Sequence, residues 1–295
     1  MDAPDRPRLA GLAWVRLACR LEFDAPVSGI PGFGWGALLR SAFGRALFAA
    51  APASAELFMG GQTADDAARP WWLSVRPLAT DDVDGIRAVE ACWTLVGAAI
   101  PRLPDVARAI ENMRVVGFGR DRMPARLCEA GAAEHVEAEQ LWTQASASPA
   151  VSTAAPLEVR AHSPWRVKHR NRWLRQAMPM DVLLLACLAR LSAVRRVSGI
   201  AAEAPLIDAA ARRAWLDRAA AWAPLAEDTR VAQAPRWSAR QARLLPLSGL
   251  VGSWQYDAAA RAALPWLALA QQLHLGGKTT LGFGQLSLAQ PSHAG

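Results

Sequence analysis

One pattern constrains the fold more than any other: a helix-like apolar segment twice runs into a Gly-Phe-Gly triplet. PDVARAIENM, from Pro104, leads into VVGFGRD, and PWLALAQQLHL, from Pro265, leads into GGKTTLGFGQ, so the triplets at Gly117 and Gly282 start 165 residues apart. Self-similarity at such a spacing marks a duplicated unit. Proline and triplet are 13 positions apart in the first copy and 17 in the second, an excess about the length of GGKT. At roughly 100–200 residues per domain, 295 residues hold one large or two medium domains with ample core, and the repeat favours two.

The flanking segments predict mixed α and β structure. In LAWVRLACRLEF, residues 12–23, alternation sends Trp14, Arg16, Ala18 and Arg20 to one face of a strand and Val15, Leu17, Cys19 and Leu21 to the other. A Gly/Pro stretch follows, then ALLRSAFGRALFAA with helical spacing. Residues 71–78 and 92–100 read as strands, PDVARAIENM as a helix, and 115–122 as a strand broken by glycines. TQASASPAVSTAA, residues 143–155, is small, polar and proline-bearing, which places the boundary there, between domains at 1–145 and 156–290. The second half reads strand (PLEVRAH), helix (180–197, with further helix in 203–223), two strands (236–245 and 248–256), helix (258–273) and strand (QLSLA).

Charge is divided unequally. Residues 1–150 carry 15 basic and 18 acidic side chains, residues 151–295 carry 18 and 8, so the net charge of +7 belongs to the second half. Only Lys168 and Lys278 are lysines against 31 arginines, a bias that fits genomic base composition and equally fits phosphate recognition by a planar fork. The four cysteines lie apart, with no CxxC or His/Cys cluster, so core thiols in a reducing cytoplasm are expected rather than a zinc site or disulfide scaffold. The N-terminus is wrong for a signal peptide. The longest apolar run, Val182 to Ala189, is far short of the roughly 20 residues that cross a bilayer, so no membrane role is expected.

Two motifs point to phosphate. The segment from Arg166 to Arg175 holds Arg166, Lys168, Arg170, Arg172 and Arg175, with His169 among them, Trp165 and Trp173 flanking, and no acidic residue. Such a stretch tracks a phosphate backbone, with aromatics for stacking; the alternative is a solvated charged loop. In GGKTTLGFG, Gly276, Gly277, Gly282 and Gly284 either bare backbone N–H groups to phosphates beside Lys278 or serve turns that need positive φ. It is no nucleotide-hydrolysis loop, because GxxxxGK[ST] requires glycine where Gln272 stands. In RWSARQARLLPL, strand alternation sends Arg240 and Arg243 to different faces unless a bulge intervenes. Asp81, Asp82 and Asp84 read as a solvated turn, and most of the 13 tryptophans as core. No nucleophile elbow or HExxH is present.

Taken in order, GWGALLRSAFGRAL, PLEVR, RWSARQ followed by SGLVGSWQY, and PWLALAQQLHLGGKTTLGFGQLSL resemble the CRISPR-associated endoribonucleases of the RAMP superfamily that process precursor CRISPR RNA. The resemblance implies an α+β fold of two tandem ferredoxin-like (RRM-like) domains, the second with a helical and basic insertion. It also implies binding of the repeat stem-loop, association with other CRISPR effector subunits, and cleavage without metal or cofactor. In that reaction the 2′-hydroxyl attacks the adjacent phosphate and leaves 2′,3′-cyclic phosphate and 5′-hydroxyl ends. The family's histidine, tyrosine and lysine triad is missing: no histidine precedes His135, the sole tyrosine is Tyr256, and no lysine precedes Lys168. An arginine-based site resembles divergent type IV members and implies Arg20, Arg40 and Arg243 for orientation and charge, with His169 as the imidazole and His162 and His274 structural. The competing readings are a subunit that holds the hairpin without cutting it and a basic scaffold for acidic proteins.

Overall fold

A computed structural model describes residues 6–30, 32–60, 69–79, 85–119, 121–148, 154–200, 204–233, 236–238, 243–245 and 247–289. The first half runs β1 (Ala13–Val27), α1 (Trp35–Ala50), α2 (Pro52–Met59), β2 (Trp71–Ala79), β3 (Ile86–Val96), α3 (Leu103–Val116), β4 (Ala125–Ala130), β5 (Glu134–Glu137) and α4 (Ala138–Ser146). The second runs β6 (Leu157–Trp165), β7 (Lys168–His169), β8 (Arg172–Trp173), α5 (Met180–Val197), α6 (Ala209–Ala220), β9 (Ala226–Gln233), β10 (Arg236–Ser238), β11 (Arg243–Leu245), β12 (Ser248–Tyr256), α7 (Leu264–Leu273) and β13 (Leu286–Ala289).

The sheets are ordered β2-β3-β1-β4, with β5 also on β1, and β13-β6-β12-β9, all antiparallel. In each the first strand lies between the third and the fourth, the arrangement of a βαββαβ ferredoxin-like unit. The hairpins β7–β8 and β10–β11 and helix α6 are additions to the second copy. Each Gly-Phe-Gly triplet lies between the unit's second helix and its fourth strand. Its glycines are left-handed (φ 66° and 71°, then 79° and 82°) and its phenylalanine is buried.

Strand β1 follows its alternation, with Leu17, Cys19, Leu21 and Phe23 packed under α1 and α3. Trp14 keeps its place on the arginine face but is buried, because this end of the strand joins Leu9, Leu12 and Trp72 in the core of the second half. No described residue of 115–122 lies in a strand. Val115 and Val116 end α3, Gly117 caps it by donating to Met113 O, and Phe118 pairs with Met123 in a single bridge. β3 stops at Val96, where left-handed Gly97 starts a 3-10 turn that reaches Arg102. Thr143 to Ser146, expected in the linker, complete α4, whose Trp142 meets Trp266 of α7 edge to face at 4.9 Å. Cys19, Cys92 and Cys187 are core thiols, with burial pushing Cys19 and Cys187 up to about 12, but Cys128 is exposed. Among the described residues no helix is long and apolar enough to cross a membrane. Asp81, Asp82 and Asp84 lie outside the described residues.

Candidate nucleic-acid interface

The basic segment folds into a tight hairpin. Lys168 pairs with Trp173 and His169 with Arg172, and the two turn residues, Arg170 and Asn171, have φ of 47° and 61°. Two successive left-handed residues are the mark of a type I′ turn, whose twist suits a two-residue hairpin loop. Asn171 tolerates that conformation; Arg170 adopts it at a cost of about 1–2 kcal/mol and stands at the tip. Leu174 N donates to Val167 O at 3.0 Å and closes the base. Over the ring of Trp173, 47% exposed, lie the Arg166 guanidinium at 4.4 Å and the Lys168 ammonium at 4.7 Å. Trp173 therefore holds two cations in place, a role beyond the stacking expected of it. Trp165 is no stacking platform: it is buried against Trp254, with its Nε1 donating to Gln285 O at 3.0 Å.

Arg166 fastens the hairpin to the rest of the domain. Its Nη1 donates to Ser248 O at 2.7 Å and its carbonyl accepts from Gly277 N at 3.0 Å, while burial lowers its pKa from the usual arginine value. Lys168, Arg170, Arg172 and Arg175 are solvent-exposed and make no ion pair with a described residue. A groove of about 480 Å³ runs between hairpin and α5, lined by Arg166, Lys168, His169 and Arg170 on one side and Gly276 and Gly277 at one end.

The glycine-rich loop is a packing element. Gly277 N is spent on Arg166 O, Gly282 N on Thr279 O and Gly284 N on Pro164 O, at 3.0, 3.0 and 3.2 Å. Gly276, Lys278, Gly282 and Gly284 all have positive φ, and a Cβ at Gly284 would collide with Leu275 O. Of the two readings the sequence allows, the structure carries the turn: the amides of Gly277, Gly282 and Gly284 are satisfied within the chain, so they offer no free donors to phosphate. The loop seats itself on the first half, with Leu281 O against Gly36 of α1 and with Leu281 and Phe283 packed on Phe33 and Ala37. Trp72 Nε1 donates to Gln272 O at 2.8 Å, and Arg190 of α5 donates to Leu273 O at 2.8 Å while its guanidinium lies over Trp72.

His274 sits in this seam, with Ser74 Oγ 2.9 Å from Nε2 and Phe283 O 3.2 Å from Nδ1. Nδ1 donates to the carbonyl, which leaves Nε2 to accept from Ser74. Burial first, then Arg190, holds its pKa down at about 3, so it is a neutral structural group. His162 bonds Ser287 Oγ at 2.6 Å. Tyr256 is buried, accepting from Trp254 Nε1 and donating to Met178 O, and burial raises its pKa.

The four residues expected to act on the scissile phosphate stand on separate elements. Arg20 is on β1, in a second groove of about 430 Å³ over the first sheet that shares no lining residue with the basic one, and it pairs with Glu22 at 3.1 Å. His169 lines the basic groove, and Arg40, half-buried on α1, lines neither. Arg243 begins β11, pairing in backbone with Ser238, and Arg240 lies outside the described residues. Missed by the sequence reading were Arg190 and Arg196, which also line the basic groove, and the α5 face beneath it; the spacing of Val182, Leu185, Ala186, Ala189 and Ala193 along one helix side was the available signal. Among the described residues no three His, Cys, Asp or Glu side chains are grouped to hold a metal ion.

Residues 159–286, which contain this interface, match the family model of the CRISPR-associated endoribonuclease Cas6. No curated protein matches the chain in sequence. Among solved structures, Thermus thermophilus Cas6 superposes with a TM-score of 0.61 at 15% identity, over 94% of this chain and 98% of that one. A Cas6 product complex gives 0.56 at 20%, over 95% and 100%. A partial Cas6-RT-Cas1–Cas2 complex gives 0.54 at 13%, over 100% of this chain and 48% of that one. At these identities the structural likeness speaks for the fold. Over residues 159–286 the sequence matches the Cas6 family model, and over most of its length the chain has the fold of the solved Cas6 structures.

Proposed function

We propose that the chain binds the stem-loop of a CRISPR repeat RNA, cleaves the precursor at the base of that hairpin without a metal, and keeps the product within an effector complex. One observation carries the reading: a basic hairpin whose exposed cations make no ion pair with a described residue, anchored through Arg166 to the glycine-rich loop, lies inside the segment that matches the Cas6 family model. A stem laid along Lys168, Arg170, Arg172 and Arg175 neutralises successive phosphates. In the chemistry assigned here, the 2′-oxygen forms a bond to the adjacent phosphorus as the bond to the 5′-oxygen breaks. The proton of the 2′-hydroxyl leaves to a base and the 5′-oxygen takes one up, which yields 2′,3′-cyclic phosphate and 5′-hydroxyl ends. His169, the imidazole in the basic groove, is assigned a proton-transfer role, and Arg20, Arg40 and Arg243 orientation and charge at the phosphorane.

A second reading has its own support. Arg20 and His169 line different grooves and Arg20 is tied to Glu22, an arrangement suited to a subunit that holds the guide hairpin without cutting it. One experiment separates the two: incubation with end-labelled repeat RNA in EDTA, with the nucleotide 5′ of the scissile phosphate as ribose or 2′-deoxyribose. The endonuclease cleaves the ribose substrate in EDTA and leaves the deoxy substrate whole. Binding without cleavage establishes the holding subunit, and cleavage of the deoxy substrate rules out 2′-hydroxyl attack.

A further inference from the structure

Helix α5 is buried over most of its surface, but one short apolar strip is left open. Leu183, Leu184, Cys187, Leu191 and Val194 are buried against the sheet and α7. Leu185 and Ala186, half-buried, and Ala189, exposed, instead open onto the groove beneath the basic hairpin, whose floor the buried Val182 and Ala193 complete. A surface built only to track phosphates has no use for an apolar wall, and an apolar wall left facing water is unfavourable unless something covers it. The three alanines keep the groove wide. Facing them are Arg166, Lys168, His169 and Arg170, Arg196 lies along the helix, and no acidic residue among the described ones lines the site. Its volume, about 480 Å³, falls within the range of about 300–1,000 Å³ usual for small-ligand sites.

We infer that this groove seats one unpaired nucleotide of the bound RNA, with the base against the Leu185–Ala186–Ala189 side of α5 and its phosphate among Lys168, Arg170 and Arg196. The assignment rests on the RNA-binding reading above and adds what a row of cations lacks, a place where a base rather than a phosphate is contacted. A planar, largely apolar base with an anionic phosphate matches the two walls of the groove, and proteins contact unpaired RNA bases by such splaying. An acidic protein segment would satisfy the cations but would set its charges beside the alanine wall.

The test uses the full chain and a CRISPR-repeat stem-loop RNA with its loop and single-stranded flanks, carrying 4-thiouridine at one unpaired position at a time. At about 0.15 M salt, one position should photocrosslink to a peptide of α5, and removing that base should weaken binding about tenfold. Ala189→Phe, a change at an exposed position that fills the groove, should weaken binding by a similar factor, while Ala220→Phe on exposed α6 should change it less than about twofold. Circular dichroism checks that both variants fold. Wild-type affinity in Ala189→Phe, or adducts that avoid α5 while binding is intact, overturns the groove assignment alone. Failure of the wild-type chain to bind any such stem-loop overturns the RNA-binding reading and the groove assignment with it.

Discussion

On the first sheet the arginines face acids: Arg16 meets Glu134 at 2.8 Å, Arg20 and Arg126 both reach Glu22, and Arg76 bonds Glu90. On the hairpin of the second half Lys168, Arg170, Arg172 and Arg175 face no described acid. The strand order is the same in both units, so topology does not decide which one meets a polyanion. We propose that the pairing of charges decides where the RNA stem lies, because cations already matched to carboxylates gain little by exchanging them for phosphates; Arg20 is assigned to the scissile phosphate alone.

The strongest way to break this contrast is charge reversal of the hairpin. Arg170→Glu, Arg172→Glu and Arg175→Glu together should weaken stem-loop binding by at least about 100-fold at about 0.15 M salt, and each lost phosphate contact should flatten the salt dependence by about 0.7–0.9. The side chains are exposed, so thermal stability should hold. Equal affinity of wild type and triple variant, measured by filter binding across a salt series, would take the hairpin out of the interface.

The next effect falls on stability. Gly284→Ala forces a side chain into a residue at φ 82° and against Leu275 O, in the loop that joins the halves. It should lose about 2 kcal/mol in urea unfolding. Gly277→Ala is the comparison, since Gly277 has ordinary φ and open space beyond Arg166 O; it should lose less than half as much.

The seam itself supplies a smaller effect with a pH signature. Ser74→Ala leaves His274 Nε2 buried without its donor and should cost about 1–2 kcal/mol. Because the folded pKa of His274, about 3, is below its unfolded value of about 6.5, the unfolded chain binds the proton more readily. The contribution of His274 is therefore complete above pH 6.5 and lost as pH falls from 6.5 toward 3. Arg190 and Arg16 oppose the imidazolium and Phe283 O favours it. Urea midpoints between pH 7 and 4 should decline more steeply for wild type than for His274→Gln; parallel curves would place the acid sensitivity elsewhere.

How much of this was legible in the sequence differs by element. The alternation of β1 and the duplicated helix-plus-triplet reported burial and backbone constraint directly, which is why strand faces and unit order were readable. β9, AEDTRVAQ, was invisible because an edge strand exposed along most of its length needs no apolar alternation. Val115 and Val116 looked like a strand because β-branched residues favour one, but the Gly117 cap extends α3 through them. Charge density exposed the hairpin, while Arg170 gives no sign in one dimension that it occupies a left-handed turn. The open strip of α5 was overlooked because Leu185, Ala186 and Ala189 continue the apolar run from Val182 and read with it as buried. The amides of the glycine loop could be assigned only once their acceptors, Arg166 O, Thr279 O and Pro164 O, were in place.

The smallest expected effect is the most exacting for the comparison. Arg76 is exposed on the first sheet, lines its groove and is bonded to Glu90 through both Nε and Nη2. An exposed pair of this kind contributes about 0–1 kcal/mol, so Arg76→Ala should move the urea midpoint only slightly. If the first sheet adds no contact to the RNA stem beyond Arg20 at the scissile phosphate, the same variant should change stem-loop affinity by less than about twofold and leave the salt slope untouched. Arg76 is a sharp probe because it carries a full cation, sits in the groove over its sheet and can be removed without disturbing the core. A loss of about tenfold with a flatter slope would mean that RNA draws Arg76 away from Glu90 and that the first sheet joins the interface despite its ion pairs.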